Sequence, residues 1–471
     1  MREVQGYPLP LGVQISENKI NFSIAVPTEK KCQLLIYRAG RKRLYRQFEM
    51  ETAVGEVRCI ALTDIEPAEY EYNYLIDGEV VVDPYVQALA GREHWGVKKE
   101  TARHEIRGRF LSQEYDWEGD HTLQIPYHQV IAYSLHVRGF TRHASSKVKS
   151  KGTFQGIIEK IDYLTDLGIN QIHCMPVYEF EECQTYRNYW GYGEGFYFAP
   201  KSAYSSDGDG ARGLKDMVKA CHKAGIEVVL EMPFCTGADK MMMLECLRYY
   251  VMEYHIDGFR FDLMGVHDLD TMKAVRKALD QVNPDIMVYG EGWTGGESAL
   301  PAAQQATKNN IYRLDRVGAF SDDIRDGIKG SVFDFLDKGF VSGKDNMEEN
   351  IKFSVVAATP HSQVTLTKAG DKCTNWSGQP GQSINYISCH DNLTFWDKLA
   401  ISNADDSEAD RVKMNKLGSA VLFTSQGVPF MQAGEEMLRS KPNEKSETGF
   451  DENSYSSPDA TTALSGIIKV T

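Results

Sequence analysis

Arg260 and Asp262 stand two residues apart in the apolar segment GFRFDLM. On a strand, where side chains alternate, that spacing puts both on one face. An arginine beside a carboxylate favours the ionised form, which a carboxylate nucleophile requires. Other apolar segments also end in side chains that could do chemistry. IMVYGEG carries Glu291, INYISCHD carries His390 and Asp391, VIAYSLHVRG carries His136 and Arg138, and IEVVLEM carries Glu231. Three carboxylates, Asp262, Glu291 and Asp391, converging on one mouth would suit glycoside hydrolysis. One attacks the anomeric carbon, one donates and later accepts a proton, and one stabilises the cationic transition state. The sequence offers no competing metal cluster, glycine-rich phosphate loop or Ser-His-Asp spacing.

These segments recur in a rhythm that says what must hold them. From Gln129 onward, short apolar runs alternate with stretches of helical period. VIAYSLHV, INQIHCMPV, IEVVLEM, GFRFDLM, IMVYGEGW, RVGAFSD, SINYISC and VPFMQAG are the predicted strands. Phe154, Ile157, Ile158, Ile161, Leu164 and Leu167 fall at helical spacing before Gly168, a natural helix stop. Leu214, Met217, Val218 and Cys221 mark a second helix, with others through LECLRYYVMEY, from about Asp270 to Val282 and from about Lys413 to Leu422. Repeated βα units with buried strands predict an α/β fold, a (β/α)8 barrel, whose reacting groups sit at the C-terminal strand ends. Residues 1–110 alternate apolar and polar positions between turn residues and predict a small all-β sandwich. The expected division is 1–110 sandwich, 111–128 connector, 129–459 barrel and 460–471 divergent tail.

Composition narrows the partners. The chain has 471 residues, with 66 acidic against 52 basic and a net charge of -14. That balance repels polyphosphate, so nucleic acid is disfavoured and a neutral polymer fits better. The opening MREVQGYPLPLG has no apolar run, and no stretch approaches the roughly 20 apolar residues of a membrane span. The nine cysteines are scattered without a CxxC pair and read as reduced thiols, so the expected location is cytoplasmic.

The segments also carry a resemblance. GFRFDLMGVHD resembles the second conserved region of glycoside hydrolase family 13, the α-amylase superfamily; YGEGW resembles the third and SCHDN the fourth. The resemblance implies Asp262 as nucleophile, Glu291 as general acid/base and Asp391 as transition-state stabiliser, with Arg260 and His390 binding substrate beside them. NYWGYGEGFYFAP is similar to the motif of isoamylases, pullulanases and glycogen debranching enzymes in which a tyrosine stacks on the sugar; this implies Tyr192, with Trp190 beside it. LHVRGFTRH, IKGSVFDFLDKGFVSG and SCHDNLTFWDKL look like type I pullulanase segments. VVDPYVQALAG, closing the sandwich, resembles the family 48 carbohydrate-binding module.

Two places depart from the family pattern. The first conserved region, ordinarily DVVYNH, is represented by EMPFCT: Glu231 replaces the aspartate, Cys235 the asparagine and Thr236 the histidine. Calcium in the superfamily often depends on this region, so no metal or cofactor is expected. After VPFMQAGEE, the eighth barrel helix and the following β-sandwich are expected to be missing. The implied activity is retaining hydrolysis of α-glucan at α-1,6 branches, against the alternatives of an α-1,4-acting amylase or transglycosylase, or a degenerate glucan-binding protein. Glu231, His136 and Arg138 are candidate supports, and His136 and Arg138 read equally as substrate contacts or barrel-end scaffold. His173 and His255 read as structural. Tyr70, Tyr72 and Tyr74 alternate along one strand and read as core or as a glucan face.

Overall fold

The computed structural model describes residues 1–464 except 17, 98–105, 112–114, 184–186, 235–238 and 371–372. It divides into two compact units, one of residues 1–119, 177–186 and 194–216, the other of 120–176, 187–193 and 217–471. The first contains two antiparallel sheets, as the alternating pattern predicted. Strand Lys19–Ala25 lies at the centre of one, and Tyr70–Ile76 pairs with Cys32–Arg38 in the other. Phe22, Leu34, Ile36, Leu62, Tyr72 and Tyr74 share its core. Tyr72 and Tyr74 are therefore packing residues rather than an exposed platform, and the Tyr72 hydroxyl donates to the buried Asp83 carboxylate at 2.9 Å. The hairpin Tyr178–Phe180 with Gly195–Pro200 also belongs to this unit and was not foreseen.

The second unit is built on a closed barrel of eight parallel strands in chain order. They are β1 (Ala132–Leu135), β2 (Gln171–Cys174), β3 (Glu227–Met232), β4 (Gly258–Phe261), β5 (Met287–Gly290), β6 (Gly318–Ser321), β7 (Ser383–Tyr386) and β8 (Val428–Gln432). β8 pairs with β1 and closes the ring. All eight lie in the runs read as strands, because a strand buried on both faces must be apolar almost throughout. Val229, Met287, Tyr289, Phe320, Ile384, Tyr386, Val428 and Phe430 fill the interior.

Register decides which functional side chains become neighbours. Glu231 on β3 stands beside Arg260 on β4, and Arg260 stands beside Tyr289 on β5. The last residue of β5, Gly290, lets β4 approach: a Cβ there would lie 2.6 Å from the Phe261 carbonyl.

The helices Lys240–Tyr254 and Leu269–Asp280 begin at Asp239 and Asp268, whose side chains accept from Met242 N–H and Thr271 N–H. The helix expected over 154–167 is two pieces, Phe154–Ile158 and Ile161–Leu167, parted where Lys160 leaves helical geometry. Gly168 closes the second piece at φ 83°. Among the described residues after β8, helix is confined to short turns, the last being Asp459–Thr462.

Candidate active site

Arg260 organises the mouth of the barrel. Its guanidinium is buried and meets three carboxylates. Nη1 donates to Glu231 Oε1 and, at 2.7 Å, to Asp262 Oδ1, while Nη2 reaches Glu291 Oε1 at 2.8 Å. The added methylene of Glu231 relative to aspartate thus still brings its carboxylate to the arginine. Burial alone would raise the Glu231 carboxyl, but Arg260 and the bond from His173 outweigh it and hold it at about 2.

Two further groups grip Glu231. The Tyr192 hydroxyl donates to Oε1 at 2.5 Å, and His173 Nε2 lies 3.0 Å from Oε2. His173 Nδ1 lies 2.9 Å from the Tyr289 hydroxyl. Burial lowers the pKa of His173, so the ring is neutral. The network fixes the tautomer: Nε2–H donates to Glu231 and Nδ1 accepts from Tyr289. The Tyr192 hydroxyl also accepts from His390 Nε2 at 2.9 Å, and the two rings stack with centroids 5.2 Å apart. Trp190 meets the His390 ring edge-on at 4.7 Å.

Asp262 and Glu291 differ in electrostatic surroundings. Burial raises the Asp262 carboxyl above its ordinary value, and Arg260 opposes that rise. Burial raises Glu291 to about 8; Arg260 opposes it, while Asp262 and Asp391 add to it. Leu263 N–H donates to Glu291 Oε2 at 2.9 Å and fixes its orientation. A carboxyl held at about 8 keeps a proton at neutral pH, the condition for a general acid. Asp391 stands at the open edge, with His390 Nε2 3.4 Å from its Oδ2. A cavity of about 510 Å³ opens here, lined by Arg260, Glu291, His390, Asp391, His173 and Trp293, with the highly exposed Phe333 also on its wall.

The structure brings together Asp262, Glu291, Asp391, Arg260, His390, Tyr192, Trp190 and Glu231. It sets His136 and Arg138 to other work. His136 Nδ1 accepts from Gly139 N–H at 3.0 Å, and Nε2 donates to the Tyr189 carbonyl at 2.8 Å. Burial holds this imidazole down at about 3, so it is a neutral cap. Arg138 makes a bidentate pair with Asp459, at 2.9 and 2.8 Å. Both are scaffold at the barrel end. Cys235 and Thr236 lie outside the described residues. Sequence reasoning took His173 as merely structural and overlooked Tyr289, Asp459 and Lys441; none sits in a local pattern that announces a partner. Among the described residues, no three His, Cys, Asp or Glu side chains gather so as to hold a metal ion.

A model of the α-amylase catalytic domain matches residues 137–241. The pullulanase of Bacillus subtilis is 27% identical over 71% of this chain and 52% of its own length. Chloroplastic isoamylase 1 of Arabidopsis thaliana is 26% identical over 85% of this chain and 62% of its own. The crystal structure of Paenibacillus barengoltzii pullulanase with maltohexaose and α-cyclodextrin superposes with a TM-score of 0.84. It shares 27% identity and covers 98% of this chain and 78% of that one. The α-amylase catalytic domain, the pullulanases and the isoamylases are what the chain is similar to. The chain spans about half the length of the Bacillus subtilis pullulanase. No helix among its described residues is long and apolar enough to cross a membrane.

Proposed function

We propose that the chain is a retaining glycosidase that hydrolyses α-1,6 branch linkages in α-glucan. The observation that carries this reading is the single Arg260 guanidinium held between the Asp262 and Glu291 carboxyls. In the first step an Asp262 carboxylate oxygen attacks the anomeric carbon, and Glu291 passes its proton to the departing glycosidic oxygen. The C–O bond breaks and a glycosyl ester on Asp262 remains. In the second step Glu291, now ionised, takes a proton from water, the hydroxyl adds to the anomeric carbon, and Asp262 leaves as carboxylate. Asp391 faces the positive charge that develops on the ring, with His390 beside it. Tyr192 and Trp190 supply apolar ring faces for the sugar's C–H surface, and the Glu231 and His390 contacts hold the Tyr192 ring in place. The linkage assignment rests on the likeness to pullulanases and isoamylases.

The test is release of reducing ends by the purified protein from pullulan, glycogen and amylose. Release from pullulan with little from amylose is expected. Release from amylose alone would make the chain an α-1,4-acting enzyme. Glucan binding without release from any of the three would make it a binding protein.

A further inference from the structure

Lys441 is a buried lysine beneath the loop that carries His390 and Asp391. Its ammonium has three N–H donors and no acceptor. All three find backbone carbonyls: His390 O at 3.2 Å, Asn392 O at 2.5 Å and Glu452 O at 2.8 Å. Two of these carbonyls flank Asp391 on either side. Asn392 adopts φ 60°, a left-handed conformation that turns the loop between Asp391 and Leu393. Asn453, from the same segment as Glu452, accepts from Asn392 N–H at 3.0 Å. Lys441 is itself fixed: Asp397 accepts its backbone N–H at 2.8 Å and the Ser440 hydroxyl at 2.5 Å. A second buried lysine, Lys329, donates to Leu393 O at 3.2 Å.

An ammonium withdrawn from water costs several kcal/mol unless it is hydrogen-bonded. A purely apolar side chain could fill the same space without that cost, but it would leave three carbonyls unpaired. We infer that Lys441 is a positioning residue for the reaction, a three-point clamp that sets where Asp391 and His390 stand relative to Asp262 and Glu291. The inference rests on the glycosidase reading above. It assigns Lys441 no contact with substrate: the residue acts through the loop backbone.

Four proteins test it at pH 6.5 on pullulan: wild type, Lys441→Met, Lys441→Arg and Lys441→Ala. The alanine variant is assayed alone, with n-propylammonium and with tetramethylammonium. A loop displaced by a fraction of an ångström is expected to lower kcat of Lys441→Met by about 10–100-fold, with KM changed far less. Part of that activity should return to Lys441→Ala with n-propylammonium, which has N–H donors, and none with tetramethylammonium. Lys441→Arg keeps the charge but not the space and should recover only part of the rate. Lys441→Met with kcat within twofold of wild type overturns the inference, as does equal rescue by both cations. If the variants fold poorly, hydrogen exchange of residues 389–393 in Lys441→Ala decides: faster exchange that n-propylammonium slows supports the clamp, and unchanged exchange removes it. Inactive wild-type protein would refute the glycosidase reading itself, and the exchange experiment would still judge the clamp.

Discussion

His173 Nε2 donates to Glu231 Oε2 at 3.0 Å, while Arg260 and Tyr192 take Oε1. Glu231 is fully buried, so its charge must be paired and both oxygens bonded. The arrangement satisfies both demands. A neutral imidazole serves one oxygen, a guanidinium and a phenol serve the other, and Tyr289 completes the chain by donating to His173. Glutamate reaches three partners from β3, and the strand register that places it beside Arg260 makes the longer side chain usable.

Removing a member of this network should cost according to what is left behind. Glu231→Gln leaves Arg260 buried with less compensating charge, and a loss of about 3–5 kcal/mol is expected. His173→Phe leaves one carboxylate oxygen short of a donor and should cost about 1–3 kcal/mol. Urea denaturation of both single variants and the double variant should show a coupling of about 0.5–3 kcal/mol. The stabilisation has a definite pH window. The Glu231 carboxyl is held at about 2, below its ordinary 4.5, so its contribution is complete above 4.5 and is lost as pH falls toward 2. Simple additivity, or a difference between wild type and Glu231→Gln that persists undiminished at the acid end, would remove the network from the account.

The strands and the motif carboxylates were legible because both are local facts. A strand buried on two faces is largely apolar, and Asp262, Glu291 and Asp391 each follow such a run. His173 was not legible. Its run says only that it is buried; its partner lies 58 residues on and is found through the β2–β3 pairing. Arg138 read equally as substrate contact or scaffold, and the partner that decides it, Asp459, lies 321 residues away. Lys441 lies 51 residues from the His390 carbonyl it holds, and backbone acceptors leave no trace in sequence. The break at Lys160 was hidden because apolar spacing continues across it.

Asp262→Asn should remove the covalent step while leaving the barrel intact. The carboxylate that attacks the sugar is gone, whereas the amide still accepts from Arg260. A fall in kcat of about 10³-fold or more is expected, as when a nucleophile is deleted from a working unit. A fluorinated glucosyl donor should add its glycosyl mass to the wild-type protein and nothing to the variant. Mass addition to Asp262→Asn, or turnover near wild type, would move the nucleophile elsewhere.

The stereochemical outcome tests the pairing of the two carboxyls. Both are hydrogen-bonded to the terminal nitrogens of one guanidinium, and the retaining reading requires them to work as a close pair, about 5–5.5 Å apart. Proton NMR of the first product formed from pullulan should therefore show the α-anomer before mutarotation. The β-anomer appearing first would mean inversion and would reassign Asp262 as a base acting on water.

The alkaline limb of activity should belong to Glu291. Burial, with Asp262 and Asp391 nearby, raises this carboxyl from 4.5 to about 8, so it is protonated and able to act as acid at neutral pH. As pH rises through about 8 the proton is lost and kcat/KM should fall about tenfold for each further pH unit. Stability carries the same signature with a fixed sign. A carboxyl whose folded pKa is raised contributes stability that is complete below 4.5 and is lost as pH rises toward 8, because the folded state then holds a buried charge that water would solvate better. Glu291→Gln removes that charge. The variant should lose about 10²–10⁴-fold in rate yet melt at a higher temperature than wild type above pH 8, with the difference shrinking toward pH 5. Rate and melting curves across pH 5–9 on both proteins provide the check. A variant less stable than wild type at pH 9 would show that the Glu291 carboxylate is favoured by its surroundings, and the acid would then have to be sought in Asp262 or Asp391.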